Sequence, residues 1–327
     1  MSARNVFSIL LVADLALAHS AAGQTSPAAP STNVTEESRH LADAGNWDEA
    51  KAVLEAELIK KIPFEVAQLK AELAHLAADR NTYFHKDEAS VLIALDEARS
   101  AVQMSDDQPA LATLEMAEGR FTYWKALEKT KEWGPPTEHF DRALQIYQQL
   151  GNEIGLAEAM FYRGLVYQMQ EQNRGARQIF EQALALTKKT GNERMQSFVE
   201  RHIGYLQQTA GEIDAARASF QVSLRLRQRN EMKAFVPFAL IALAEFEAEQ
   251  KNPTEAIKLT EQALPLAKSG HSPRALYTAE LELAKWYADQ GKTTEANNLA
   301  DQSRLGAEAF GDPSGVKEAE DFLKKHT

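Results

Sequence analysis

Two short runs in this sequence gather side chains that could do acid–base or metal chemistry. Glu138-His139-Phe140-Asp141 sets three metal-competent groups within one helical turn, with Glu138 and Asp141 on one face. A metal centre needs a shell completed from elsewhere in the chain, and no second cluster of ligands supplies it. The run therefore reads as a solvated helix face with a half-buried histidine. Glu200-Arg201-His202 likewise reads as a surface trio rather than a catalytic one. A third group is aromatic: Tyr123, Trp124 and Trp133 gather around one loop. They offer either a stacking platform or core filling, and filling fits better because large aromatics are usually buried where packing is irregular. The signatures of zinc hydrolases, nucleophile elbows, phosphate loops and dinucleotide sites are missing. The chain has no cysteine, which excludes disulfides, zinc–thiolate centres and thiol nucleophiles. Carboxylates are plentiful, but almost all fall on the exposed sides of helices, and nothing singles out an acid–base pair. The expectation is a chain that is not an enzyme and uses no cofactor and no metal.

The elements that carry these residues are helical. At 327 residues one compact core is too large, and two domains or one elongated array fit better. Ala, Leu, Glu and Gln abound, against 16 Gly and 11 Pro, and no alternating β pattern occurs. A net charge of −11 argues against a nucleic-acid surface and is read as a solubility feature. The strongest pattern is a 40-residue recurrence of small residues. Gly164, Gly204, Ala244 and Ala284 form one row; Ala176, Ala216, Ala256 and Ala296 a second; Ala183, Ser223, Ala263 and Ser303 a third. Antiparallel helices approach closely only where side-chain volume is small. Fixed rows of this kind mark stacked helical repeats, none of which can bury its apolar face alone.

Within one unit the intervals are twelve residues from Gly164 to Ala176 and seven from Ala176 to Ala183. Tyr167 and Tyr287 follow the first small position by three, and Phe180 and Phe220 supply a second-helix aromatic. This arrangement resembles the tetratricopeptide repeat, in the longer variety of about 40 residues found in kinesin light chains. The resemblance is close over residues 110–311 and looser over 34–105. Four departures stand out. Arg163 occupies a site where the family prefers a large apolar residue, Thr260 and Ala300 replace the second-helix aromatic, and Pro265 falls inside a second helix that it should kink or end. The resemblance implies an all-α, right-handed superhelical solenoid of about seven antiparallel helix pairs.

Residues 1–23 have the layout of a secretory signal: Arg4, an apolar stretch interrupted by Asp14, then small residues at Ser20 to Gly23. The chain is expected to be exported, periplasmic or secreted, and to begin between Ala21 and Thr25 once processed. The apolar stretch is shorter than the roughly 20 residues of a membrane span, so no integral span is expected in the mature chain. Residues 24–33 read as a flexible linker, 34–105 as irregular N-terminal repeats, 106–312 as regular repeats and 313–327 as a capping helix. The first pair is expected at 36–44 and 48–58, with Asp48 as N-cap of its second helix. In the second pair either Ala89 or Ala94 could take the small position. The third pair carries an insertion of about five residues near Pro136.

The resemblance also implies that first helices line a concave face. Residues one turn before, beside and one turn after each small position form a stripe on that face. The stripe is Phe161, Leu165 and Gln168; Phe198, Arg201, Tyr205 and Gln208; Phe238, Ile241 and Glu245; then Leu281 and Lys285. Aromatic and aliphatic anchors mixed with charged and amide groups suit a recognition surface. Equally, the phenylalanines could simply pack between units. On the first reading the partner is an extended peptide or a helix, nucleic acid being excluded, and truncating Arg201 or Tyr205 would weaken binding while sparing stability. A self-associating module, or a helical accessory subunit of an exported enzyme, is the other reading.

Overall fold

Asparagine and aspartate start these helices. Asn152, Asn192, Asp107 and Asp87 each accept a hydrogen bond from the backbone N–H three residues on, at 2.9–3.0 Å. Gly151 and Gly191, at φ 66° and 70°, end the helices before two of these caps in the left-handed conformation. The computed structural model describes residues 31–58, 66–84 and 86–326; the segment read as a secretory signal lies outside them. Among the described residues there are fifteen α-helices, one π-helical turn and no strand.

The helices form seven antiparallel pairs and a cap. They are α1 (Ser31–Asp43) with α2 (Trp47–Leu58), α3 (Val66–Tyr83) with α4 (Glu88–Ser105), and α5 (Gln108–Lys125) with α6 (Gly134–Leu150). The regular pairs follow: α7 (Glu153–Met169) with α8 (Asn173–Thr190), and α9 (Glu193–Thr209) with α10 (Ile213–Arg229). Then come α11 (Val236–Glu249) with α12 (Pro253–Ser269), α13 (Pro273–Asp289) with α14 (Thr293–Phe310), and the cap α15 (Pro313–His326). Helix α1 begins inside the stretch read as linker, and α2 begins at Trp47, which puts Asp48 in its first turn rather than at the cap.

The small rows lie at helix crossings. Every Ala and Ser of the second and third rows is 0% exposed. A Cβ on Gly164 would come within 2.3 Å of Phe180, and one on Gly119 within 2.5 Å of Phe140. Gly119, Gly164 and Gly204 of first helices thus receive the aromatic ring of the partner helix, and Gly155 that of Tyr147 from the preceding pair. In the second pair neither Ala89 nor Ala94 fills the crossing; Val91, Leu95 and Ala98 do, at 1% exposure or less. The insertion in the third pair is the π-helical turn Ala126–Thr130 and the residues after it. Pro265 does not break α12, which runs on to Ser269. The carbonyl that Pro265 leaves unbonded belongs to Glu261, and both residues are exposed, so water can serve it.

The array curls until its first two pairs meet its last three. The Asp43 carboxylate forms a bidentate ion pair with Arg194 of α9, and its carbonyl accepts from the Ala234 N–H at 3.0 Å. Tyr83 and Phe84 at the end of α3 pack edge-on against Phe235, at 6.1 and 5.8 Å between centroids. Arg274 of α13 donates to the Thr82 carbonyl at 2.9 Å. Gly270, which caps α12, has a φ of −87°, and His271 after it takes the left-handed conformation. Gly270 is needed for close approach: a Cβ there would lie 2.5 Å from the Lys233 carbonyl oxygen. The main apolar core runs through this curl from Trp47 and Leu54 to Phe246 and Ala279.

Candidate functional site

Where the curl closes, helix ends from both halves surround a cavity of about 890 Å³. The end of α3 contributes Asn81, and Lys86 follows it. The end of α5 and its π turn contribute Trp124, Leu127 and Glu128. The last turn of α7 brings Gln168 and Met169. Across from these stand Arg274, Tyr277 and Leu281 of α13, and residues 311–315 at the start of α15. The π turn widens the helix by one residue and so turns Glu128 and Leu127 toward this space.

Glu128 is the hub of the wall. It receives Lys86 Nζ at 2.5 Å and Arg274 Nη1 at 3.3 Å. Lys86 also donates to the Gly311 carbonyl at 2.6 Å, so the α3–α4 connection and the α14–α15 turn meet there. Asp312 accepts from the Tyr277 hydroxyl at 2.7 Å and faces Arg274. Burial alone would raise the Asp312 carboxyl; Arg274 and Tyr277 outweigh it and hold it below the usual range. Lys86 and Lys129 stand over the Trp124 ring, at 6.0 and 4.7 Å from its centroid. Every cation named here has an acidic partner: Lys129 pairs with Glu88 at 2.5 Å.

A second polar system lies in the interior beside the cavity. Arg120 is 1% exposed and bridges Asp79, at 2.7 Å, and Glu158, which also faces His75. Burial pushes the Asp79 carboxyl up to about 6 and Glu158 up to about 7, against the pull of Arg120. Arg39 and Glu72 pair at 3.2 Å in the same layer. These acids overturn the expectation that nearly all carboxylates face solvent. They sit on first helices, which are covered on both flanks by neighbouring units, so a polar position there is buried whatever its residue type.

The same cause corrects the trio Glu200-Arg201-His202, which is interior: Arg201 and His202 are 0% exposed. Burial, and then Arg201 and Arg227, hold the His202 imidazole well below its usual value, so it is neutral. Its Nδ1 lies 2.8 Å from Gln168 Oε1 and its Nε2 3.3 Å from Arg201 Nη2. Arginine only donates, so Nε2 accepts and Nδ1 carries the proton. The Glu138-His139-Asp141 run does not assemble. His139 turns instead to Glu115 and Glu118 of α5, at 2.7 and 3.2 Å, and Arg142 and Arg99 already pair with these acids. Asp141 pairs with Arg163, whose guanidinium lies over Tyr167 at 4.1 Å. Tyr123 and Trp124 are buried and Trp133 is half-buried, and Trp124 also forms cavity wall.

The predicted stripe is largely interior. Phe161, Leu165, Gln168, Phe198, Arg201, Tyr205, Phe238, Ile241 and Leu281 are buried, and Gln208, Glu245 and Lys285 are half-buried. Phe161 and Phe198 pack against each other at 6.3 Å, and Phe238 meets Tyr83 from α3 at 6.2 Å. Of the twelve, Gln168 and Leu281 line the cavity. Gln208 pairs with Glu249 at 2.6 Å, and Lys285 with Glu282 and Glu318 at 2.6 and 2.9 Å. Burial pushes the Glu245 carboxyl well up, with Glu282 adding to it. The cavity residues outside the stripe sit at helix ends and in connections, where helical periodicity carries no information about facing.

Residues 137–189 match a family model described as Tetratricopeptide repeat. No curated protein matches the chain. Among solved structures, a Rap protein complexed with Competence and Sporulation Factor aligns at TM-score 0.65 and 16% identity, over 90% of this chain and 86% of that one. NprR in complex with its cognate peptide NprX aligns at 0.64 and 13%, over 90% and 84%. A signal-transduction ATPase with a tetratricopeptide repeat sensor, from Pyrococcus horikoshii, aligns at 0.54 and 14% over 89% of this chain; the chain spans 43% of its length. At these identities the likeness is one of fold. The matched unit, the small rows at helix crossings and the paired helices agree: residues 137–189 carry a tetratricopeptide-repeat match, and the array around them has a tetratricopeptide-repeat-like fold.

Proposed function

We propose that this chain is an exported, non-catalytic scaffold that recognises a partner protein by taking a short segment of it into the central cavity. One observation carries the reading. The concave side of the array is closed by the chain's own first two pairs, and the space left is about 890 Å³, in the range of roughly 300–1,000 Å³ typical of small-ligand and short-segment sites. A folded partner docking on a standard interface would need a surface of about 800 Å² per side, which this space does not offer. Two structures of similar fold are described in complex with a factor or a cognate peptide, which supports the same use here. Lys86 and Arg274 of the wall pair with Glu128, and Lys129 with Glu88, so these two acids are already engaged rather than set apart as a base. Export rests on the layout of residues 1–23.

A photocrosslinking residue at Met169, on the cavity wall, tests the site in the native host. The expected adduct joins Met169 to one short stretch of another protein. Adducts formed only from a probe at Leu305, 51% exposed on α14, would move recognition to the outside of the array. N-terminal sequencing of the envelope-fraction protein should read a start between Ala21 and Thr25. Intact Met1, or recovery from cytosol alone, contradicts export.

A further inference from the structure

His139 leaves its own helical run and turns across to α5. Its Nδ1 lies 2.7 Å from Glu115 Oε2 and 3.2 Å from Glu118 Oε2, and the three atoms all fall within 4.8 Å of one another. Glu115 and Glu118 stand one turn apart on one face of α5, and His139 meets them from the antiparallel α6. The three side chains are largely buried, at 11%, 12% and 18% exposure. None of them lines the cavity.

The hydrogen bonds of this cluster conflict. Arg142 Nη2 reaches His139 Nδ1 at 2.8 Å, and Arg142 Nε reaches Glu115 Oε2 at 2.9 Å. Arginine only donates and a carboxylate only accepts, so Nδ1 faces a donor and an acceptor at nearly the same distance with one site to offer. With its proton on, Nδ1 opposes an N–H of Arg142. With its proton off, its lone pair opposes two carboxylate oxygens. A metal cation at the point where Nδ1 and the two oxygens converge resolves this, because all three then direct a lone pair at it. The guanidinium that stands there now can give way: the Arg142 side chain is 49% exposed and can turn out into water. Arg99 need not move. It pairs with Glu118 through Oε1, the oxygen turned away from His139, and so fixes that carboxylate from behind as an outer partner.

We propose that Glu115, Glu118 and His139 bind a zinc ion in place of the Arg142 guanidinium, with water as the fourth ligand. One imidazole and two carboxylates suit a borderline cation such as zinc, whereas magnesium and calcium prefer oxygen throughout. Ligand atoms about 2.1 Å from a tetrahedral ion stand about 3.4 Å from one another, so the present separations need only small side-chain shifts. The ion ties α5 to α6 on either side of the connection that contains the π turn Ala126–Thr130. Leu127, Glu128 and Lys131 of that connection form cavity wall. The clamp therefore steadies the wall, whatever the cavity takes.

The test uses the purified chain without an affinity tag, since the sequence already has 8 histidines. After treatment with a chelator and dialysis, zinc is titrated by calorimetry beside a thermal melt, and cobalt(II) serves as a visible stand-in. The expected result is a single zinc per chain, a melting temperature that rises with zinc, and the strong absorption of tetrahedral cobalt. Magnesium should do none of this. His139→Ala and Glu118→Gln should each weaken zinc by more than about tenfold, since even an outer-shell partner is worth about that much. Arg142→Ala removes the competing cation and should tighten zinc about three- to fivefold, the worth of a half-exposed ion pair. No zinc binding by folded wild type would overturn the proposal. So would zinc held equally well by His139→Ala and Glu118→Gln, which would mean an adventitious ion only. Affinity unchanged or weakened in Arg142→Ala would overturn the exchange of guanidinium for metal. If His139→Ala fails to fold, Glu118→Gln and Arg142→Ala decide the question.

Discussion

Arg120 shows what single residues do here. Its guanidinium is shared between Asp79 and Glu158 with almost no water, and it lies 4.5 Å from the Tyr162 ring. Removing one member of a buried ion group leaves the others uncompensated, so Arg120→Met should cost about 3–5 kcal/mol in a denaturant titration. The same layer sets a pH dependence. Asp79 and Glu158 have folded pKa values raised to about 6 and about 7, above their unfolded values near 4. A raised carboxyl binds protons more tightly in the folded state. Its contribution is complete below the unfolded value and is lost as pH rises through the folded one. The melting temperature should therefore increase as pH falls from about 8 to about 5, and Glu158→Gln should flatten that slope. An unchanged slope would remove Glu158 as its source. Arg201, read from the sequence as a groove hot spot, is 0% exposed, so Arg201→Ala should now lower the melting temperature by several degrees.

At the scale of elements, the repeat was legible because its signal is steric. In the units where a first helix carries Gly119, Gly164 or Gly204, the partner helix carries Phe140, Phe180 or Phe220. Where the first helix carries Ala244 or Ala284, the partner position is Thr260 or Ala300, both 0% exposed. The sequence thus trades volume across each crossing, and intervals between small residues expose the trade. Gly164→Leu should overpack against Phe180 and cost at least the ~1–3 kcal/mol of a strained core. Glu193→Leu, at the first position of α9 and pairing with Arg229 and Asn230, should cost about 1 kcal/mol or less. Circular dichroism melts rank the pair, and the reverse order would displace the register. The stripe was less legible. Periodicity tells which residues share a face, but a first helix is covered on several sides, and spacing alone does not say which face meets solvent. The π turn and Asn81 lie at helix ends, where no period applies.

The whole molecule adds what no unit contains. Its curl brings Asp43 to Arg194 across 151 residues and Lys86 to Gly311 across 225, and sequence intervals of 40 carry no trace of such contacts. Asp43 and Arg194 are both largely buried, so Asp43→Ala strands a charge and should cost about 3–5 kcal/mol. It should also loosen the closure, seen as a larger radius of gyration in X-ray scattering; an unchanged radius would show that the apolar contacts of Tyr83 and Phe84 hold the curl alone. The central claim is that recognition occurs inside this closed space. Hydrogen–deuterium exchange with and without a saturating captured peptide tests it most directly. Slowed exchange is predicted in the π turn Ala126–Thr130, the last turn of α7 and residues 311–315 at the start of α15. Slowed exchange confined to the outward second helices α8, α10 and α12, with these three segments unchanged, would contradict it.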